Sequence, residues 1–588
     1  MQTTWNLKLL YESPEDPQIE KDIKKIIAGC KKFEKTWKGN PDMVKKEKIL
    51  AQAFKDYEIV YELIQWQKPL WYFQLLQDIH LDHPTAGARV NQLYQVIADA
   101  QNRLVFFELA LSKISQDTQK KFLKSNLLKP YRYYLVKVFN HAKYYLSESE
   151  EKMLTITELT SYDMWVKGTR KMLSEQRISW GGKEIGMSEA SEMLPSLPRS
   201  DREALYEKIL MATKHVAPFA EAEMNAVLTI AKIKDELRGY KKPYSFTVAE
   251  NENNEPTVTT MAKIVTDHFE VSKHFFTIKK KMLGITDTMR SFDMGAEVGT
   301  IKKSFIFTDS VKILSDAFGD VDPIFSEILN RYVNRGQIDV FPRLHKASGA
   351  YCDSRANLET FVLLNDVGDF GSLQTLAHEM GHAIHTELSQ QQSPLYKRYT
   401  ISTAEVASTF FEQVSFEAVF ETLSDEDKII ALHEKLMGSI GTVFVQIAFF
   451  NFECELHETL RKDGFVSKEK MSELMVKHRT SYLGDAVTLY PDDGLFWVRL
   501  SHIRNYFYVY TYAYGGMISA AMYAVYQEDK SFVTKLKKFL SAGGSDTPEN
   551  IFKSIGIDTT KDEFWIAGIK KIEQDVIKLE KLVNKKAR

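Results

Sequence analysis

Residues 371–388 read GSLQTLAHEMGHAIHTEL, and residues 402–413 read STAEVASTFFEQ. In the first stretch Leu373, Leu376, Ala377, Met380, Ala383 and Ile384 recur at helical spacing, with Ser372 as a candidate N-cap. The helix so predicted carries His378 and His382 four residues apart, hence on one face, with Glu379 rotated away from them. Two imidazoles at that spacing reach one metal ion, and the acidic residue between them can take a proton from a metal-bound water. His433-Glu434 and His457-Glu458 cannot do the same, because Met437 and Arg461 stand where a second imidazole is needed.

A catalytic zinc site takes three protein ligands and keeps one position open. His385 and Leu388 occupy the positions where a metzincin carries Gly and His, so that ligand arrangement is excluded. A turn around Ser393–Pro394 leads into the second stretch, where Glu405 is the candidate third ligand. The residues also allow another role, since Ser402-Thr403-Ala404-Glu405 spells a capping box in which Glu405 bonds back to the N-cap amide. Glu412, seven residues on and so on the same face, is either an acceptor for a ligand imidazole or a solvated residue. His385 reads as a packing residue.

Outward from these stretches the pattern is helical. From Asp16 to about Leu237 apolar residues recur at helical spacing, as in Leu104, Phe107, Leu111 and Ile114. Strand-like runs cluster just before the HExxH stretch, in KSFIFTD (303–309), GQIDVFP (336–342), GAYCD (349–353) and ETFVLLND (359–366), which predicts a small sheet there. The polar segment Tyr244–Thr260 is a candidate loop or lobe junction, and the lysine-rich end through Arg588 a terminal amphipathic helix.

At 588 residues the chain is too long for one hydrophobic core. Lys plus Arg (77) nearly balance Asp plus Glu (79), so no strong field draws the protein to nucleic acid or a membrane. The three cysteines, Cys30, Cys352 and Cys454, form no CxxC pair, which argues against a disulfide framework or a thiolate zinc site. The first residues show no charged start followed by an apolar core, so the expected location is the cytoplasm. The uncharged stretch Tyr506–Tyr526 is long enough to span a bilayer, but seven tyrosines and Gly515-Gly516 interrupt it, and it reads as protein interior.

HEMGHAIH followed by AEVASTFFEQ resembles the oligoendopeptidase F branch of the thimet-oligopeptidase-like zinc metallopeptidases. Trp5-Asn6-Leu7 with Leu10-Tyr11, Ser348-Gly349-Ala350-Tyr351 and HIRNYFYVYTY (502–512) are similar to further blocks of that branch. Asp366 and Tyr506 depart from it, standing where an aromatic residue and Pro are usual. The resemblance implies a mainly α, two-lobed helical body enclosing a deep channel, with a small β-sheet next to the zinc-binding helices. The expected division is an N-terminal helical lobe over 1–200 and a catalytic region over 201–588. It further implies one zinc ion per chain on His378, His382 and Glu405, with Glu379 as general base, and cleavage of internal bonds in short peptides. Glu412 becomes the expected support of a ligand imidazole.

His502 and Tyr510 are the expected donors to the oxyanion: were 502–512 helical, Tyr506 and Tyr510 would share the His502 face. Gly349, Ala350, Tyr351, Tyr506 and Tyr508 are the expected substrate-binding residues, the first three on a strand to which a peptide backbone could add. Two other classes share parts of this pattern: a peptide-binding helical scaffold with a structural metal, which has no need of Glu379, and a zinc amidohydrolase acting outside peptides, which has no reason to share the flanking blocks.

Overall fold

The computed structural model describes residues 1–355 and 357–586 and is 72% helical, a mainly α fold as expected. Two compact units are each built from three separated segments: Met1–Tyr145, Lys303–Glu421 and Val525–Gly556 form the first, and Leu146–Lys302, Thr422–Ala524 and Ile557–Arg588 the second. The expected division at residue 200 therefore differs from these units, since that point lies inside the second unit, beside the start of helix Arg199–Arg238. Periodicity reports which face of a helix is buried but not which distant segment buries it.

In the first unit, helix Pro17–Trp37 starts as its sequence dictates, with Pro17 at the first position and the Asp16 carboxylate accepting the Gln18 N–H. Its apolar stripe joins an aromatic core in which Phe54 stacks on Tyr131 at 4.4 Å and meets Phe107 edge-on at 5.4 Å. The predicted sheet is present as strands Ile338–Asp339, Phe361–Leu363 and Tyr351–Asp353, in that spatial order, the first pair parallel and the second antiparallel. The amino-terminal arm closes the Ile338 side: Val340 N–H donates to the Thr3 carbonyl at 3.0 Å and the Trp5 indole to the Val362 carbonyl at 2.8 Å. KSFIFTD is no strand: Phe307 opens helix Phe307–Val321 and is buried, as is Phe305 just ahead of the helix. The sheet packs on helix Phe370–Ser389, so it adjoins the HExxH motif.

In the second unit the strands Arg177–Trp180 and Lys183–Gly186 form a hairpin around Gly181 and Gly182, both with positive φ (58° and 77°), as a two-residue turn requires. The segment Tyr244–Thr260 lies wholly inside this unit and is no lobe junction: it holds helix Ser245–Glu250 and the start of helix Glu255–Asp267, its polar residues forming the short link between them. One continuous helical run, Asp425–Asp463, is long and apolar enough to cross a membrane by length and composition, and 56% of its apolar window is buried within the protein. The terminal helix runs Asp562–Lys586; Ala587 and Arg588 lie outside the described residues. Tyr510 and Tyr514, in the uncharged stretch, are fully buried.

Candidate metal centre

The HExxH helix is capped by Asp369, whose carboxylate accepts both the N–H and the hydroxyl of Ser372 at 2.8 Å. Ser372, the expected cap, is instead the third residue of the helix. Leu373, Leu376, Ala377, Met380, Ala383 and Ile384 are all fully buried, which fixes the rotation of the helix and turns His378 and His382 to one side. Helix Ile401–Phe420 packs across it, and the crossing is close because residue 381 has no side chain.

This crossing brings Glu405 to the two histidines. The Nε2 atoms of His378 and His382 are 3.1 Å apart, and Glu405 Oε2 lies 3.6 and 3.9 Å from them. Donors about 2.0–2.2 Å from a tetrahedral ion sit roughly 3.2–3.6 Å from one another, so the three atoms fit one zinc-sized ion. Among the described residues this is the one group of His, Cys, Asp and Glu that converges this way. Glu405 takes no part in capping: the N-cap is Thr400, whose side chain makes no capping bond, and Glu405 Oε2 instead accepts the Ser408 hydroxyl at 3.2 Å. Ser408 was not anticipated, although its place three residues along the same helix was the available signal.

Glu412 bonds His378 Nδ1. The imidazole thus donates from Nδ1 and keeps the Nε2 lone pair for a metal. Burial alone would depress His378, but the hydrogen bond and charge of Glu412, with the charges of Glu379 and Glu405, outweigh it and lift the imidazole to about 9. His382 is pressed to about 3 by burial, then by the charges of His378 and His385. Burial lifts Glu379 to about 7; Glu405 and Glu412 add to the rise, while His378 and the Cys352 backbone N–H oppose it. The Oε2 of Glu379 is buried with no hydrogen-bond partner among the described residues. His385 is a packing residue, its ring stacked on Tyr399 at 3.7 Å and 5°.

Two family models match: "Peptidase family M3" over residues 193–571 and "Oligopeptidase F" over 111–172. The chain belongs to peptidase family M3. Within it, this M3 peptidase lies in the oligoendopeptidase F branch and is a metalloendopeptidase. It is 26% identical over 505 residues to the group B oligopeptidase PepB of Streptococcus agalactiae (82% of this chain, 81% of that one). It is 24% identical over 602 residues to an oligoendopeptidase F homolog of Lactococcus lactis (99% and 97%). Its fold matches that of a candidate peptidase from Chlamydophila abortus (TM-score 0.85, 20% identity, 99% and 98% covered) and that of oligoendopeptidase-F from Enterococcus faecium (0.71, 20%, 97% and 99%).

In the M3 peptidase the remaining expected residues are distributed as follows. Tyr351 begins the edge strand of the three-stranded sheet, its hydroxyl bonded to Asp78. Ala350 links it to Gly349, which has a φ of +80° and whose carbonyl accepts the Asn365 amide at 2.8 Å.

In the second unit the expectation that His502, Tyr506 and Tyr510 share a helix face is corrected. Tyr506 and Phe507 have left-handed backbone, φ 45° and 62°, so the short helix Ser501–Asn505 ends before helix Tyr510–Glu528 begins. Tyr506 donates its hydroxyl to the Val227 carbonyl at 3.1 Å, and the buried Tyr510 donates to Asn253 Oδ1 at 2.8 Å. The residues that gather at His502 are Tyr508, its ring parallel within 3° at 5.7 Å, and Tyr512 at 6.2 Å. The Tyr508 and Tyr512 hydroxyl oxygens are 3.4 Å apart. His502 Nδ1 is buried with no partner among the described residues, and burial lowers the pKa of the ring.

Proposed function

We propose that this metalloendopeptidase hydrolyses internal bonds of short peptides, with one zinc ion held by His378, His382 and Glu405 and with Glu379 as general base. The observation that carries this is the convergence of three ligand atoms on one ion-sized volume, next to a carboxylate with an unpartnered buried oxygen. Zinc in such a site lowers the pKa of a bound water and polarises a carbonyl.

The chain's own residues do the rest. Glu412 holds the His378 proton on Nδ1, and Ser408 holds Glu405 in place. Glu379, lifted towards neutrality, accepts the proton of the attacking water and delivers it to the leaving amine. The edge strand Tyr351–Asp353 offers backbone groups to an extended peptide, with Gly349 and Ala350 leading into it. For the developing oxyanion the family resemblance favours His502 with Tyr510, but the ring that lies parallel to His502 is that of Tyr508, which we take as the donor in its place. Short peptides as substrates accord with the names of the oligopeptidase relatives. The three free thiols accord with a reducing compartment, the cytoplasm.

The test is hydrolysis of a short quenched-fluorescent peptide by the purified chain, its metal-stripped form and Glu379→Gln. Stripping should abolish turnover and one zinc per chain should restore it; Glu379→Gln should keep its zinc yet lose at least about two orders of magnitude in kcat. Near-normal turnover by Glu379→Gln would remove Glu379 from the mechanism.

A further inference from the structure

The segment that carries His502 towards Tyr508 is held from outside at several backbone groups. The Tyr162 hydroxyl donates to the Arg504 carbonyl at 2.6 Å and the Thr247 hydroxyl to the Tyr506 carbonyl at 2.7 Å. Arg504 itself is anchored by paired bonds to the buried Glu223, at 2.9 and 2.8 Å. The carboxyl of Glu453, fully buried on helix Gln446–Asp463, accepts the Phe507 N–H at 2.8 Å.

Tyr506 and Phe507 are consecutive left-handed residues with side chains, a conformation that persists only where the surroundings over-determine it. Packing does not do so alone. Tyr506 lines a cavity of about 330 Å³ with Leu154 and Phe246, so its side chain is unpacked on one side and is tied by its hydroxyl to the Val227 carbonyl. Of the contacts that grip the segment, the one from Glu453 meets the N–H of the second left-handed residue and so sets the direction in which the chain leaves towards Tyr508.

A carboxyl is a costly acceptor for such a place. The second oxygen of Glu453 has no partner among the described residues, and neither do the ring nitrogens of His457, one turn further along the helix. Burial lifts the Glu453 carboxyl to about 8, so near neutral pH it sits largely as the uncharged acid, a shape that glutamine reproduces.

We propose that Glu453 is a positioning residue of the reaction, holding the Phe507 N–H so that His502 and Tyr508 are presented as a stacked pair. The proposal rests on the reading that these two side chains serve peptide hydrolysis.

The test compares zinc-loaded full-length protein with Glu453→Leu, which removes the acceptor at similar volume, and Glu453→Gln, which keeps it. Hydrogen exchange of the Phe507 amide, kcat and KM on the short peptide, and zinc content are measured for each. Glu453→Leu should exchange the Phe507 amide about tenfold faster or more and lose at least about tenfold in kcat, with KM and zinc content near the parent; Glu453→Gln should restore both. In a His502→Ala background, Glu453→Leu should lower kcat little further. Unchanged Phe507 protection, a Gln variant as impaired as Leu, or a full additional loss in the His502→Ala background would each overturn the proposal. If Glu453→Leu does not fold, Glu453→Asp, which withdraws the acceptor by one methylene, takes its place with the same outcomes. A parent chain that cleaves no peptide would overturn the peptidase reading, while the exchange result would still judge the hold on Phe507.

Discussion

Gly381 and Ser408 meet backbone to backbone: a Cβ on Gly381 would stand 2.6 Å from the Ser408 Cα and 3.0 Å from the Ala407 carbonyl oxygen. Neither side can yield alone, since one helix carries His378 and His382 and the other Glu405. Gly381→Ala is therefore expected to spread the two helices. Affinity for zinc should fall at least about tenfold, and the metal-free protein should lose roughly 1–3 kcal/mol of stability, the usual range for overpacking. Competition against a chromogenic chelator and a denaturant melt measure the two effects; unchanged zinc affinity would show that the close crossing does not set the ligand geometry.

Glu405 makes no capping bond, so its removal separates metal binding from helix stability. Glu405→Ala should weaken zinc binding by more than about a hundredfold while the metal-free melt stays near that of the parent, because alanine is the better helix former. Ser408→Ala, which removes the hydroxyl from Glu405 Oε2, should cost about tenfold in affinity. A melt that drops with zinc affinity intact would reverse the assignment for Glu405.

The Glu453 carboxyl makes stability depend on pH in a stated direction. Its folded value, about 8, lies above the ordinary 4.5, so the folded chain holds a proton that the unfolded chain releases between these values. The stabilisation is full below about pH 4.5, declines as pH rises and is gone above about pH 8, at up to about 1.4 kcal/mol per pH unit. His457, pressed to about 3 by burial and by the charge of Arg461, gives the opposite dependence below its ordinary 6.5, but both proteins carry it and it cancels in their comparison. Glu453→Gln has nothing to titrate, so its stability relative to the parent should grow between pH 5 and pH 8. Parallel denaturant midpoints for the two proteins at both pH values would contradict the burial of an acid there.

The cluster of His378, His382 and Glu405 was largely legible in the sequence because short-range geometry fixes most of it. Two histidines four apart on a strongly periodic helix must share a face whatever surrounds them. Glu405 needed only that the next helix cross the first. The choice between ligand and capping box was not available, since it depends on how near the helices come, and that follows from Gly381 meeting Ser408. The interleaved units escaped for a related reason: Lys303–Glu421 and Val525–Gly556 join Met1–Tyr145 through contacts that periodicity does not name. At 502–512 the helical assumption failed because Tyr506 and Phe507 adopt a left-handed turn that neither residue type favours, and the partner that holds it, Glu453, is distant in sequence.

That turn exchanges the surroundings of the two tyrosines, and kinetics can tell their roles apart. Tyr510 is buried with its hydroxyl committed to Asn253, whereas Tyr508 lies parallel to His502 with its hydroxyl directed to Tyr512 at the limit of hydrogen-bond range. A donor that stabilises the oxyanion acts only as the carbonyl is attacked, so its loss lowers kcat without weakening substrate binding. Tyr508→Phe should therefore reduce kcat by roughly two to three orders of magnitude at nearly constant KM. Tyr510→Phe deletes one buried hydrogen bond and leaves Asn253 short of a partner, which should cost about 1–3 kcal/mol of stability with kcat within a few-fold of the parent. Steady-state kinetics on a short peptide, with melts of the same preparations, give both numbers. A large kcat loss confined to Tyr510→Phe would return the donor role to Tyr510 and require its bond to Asn253 to break during turnover.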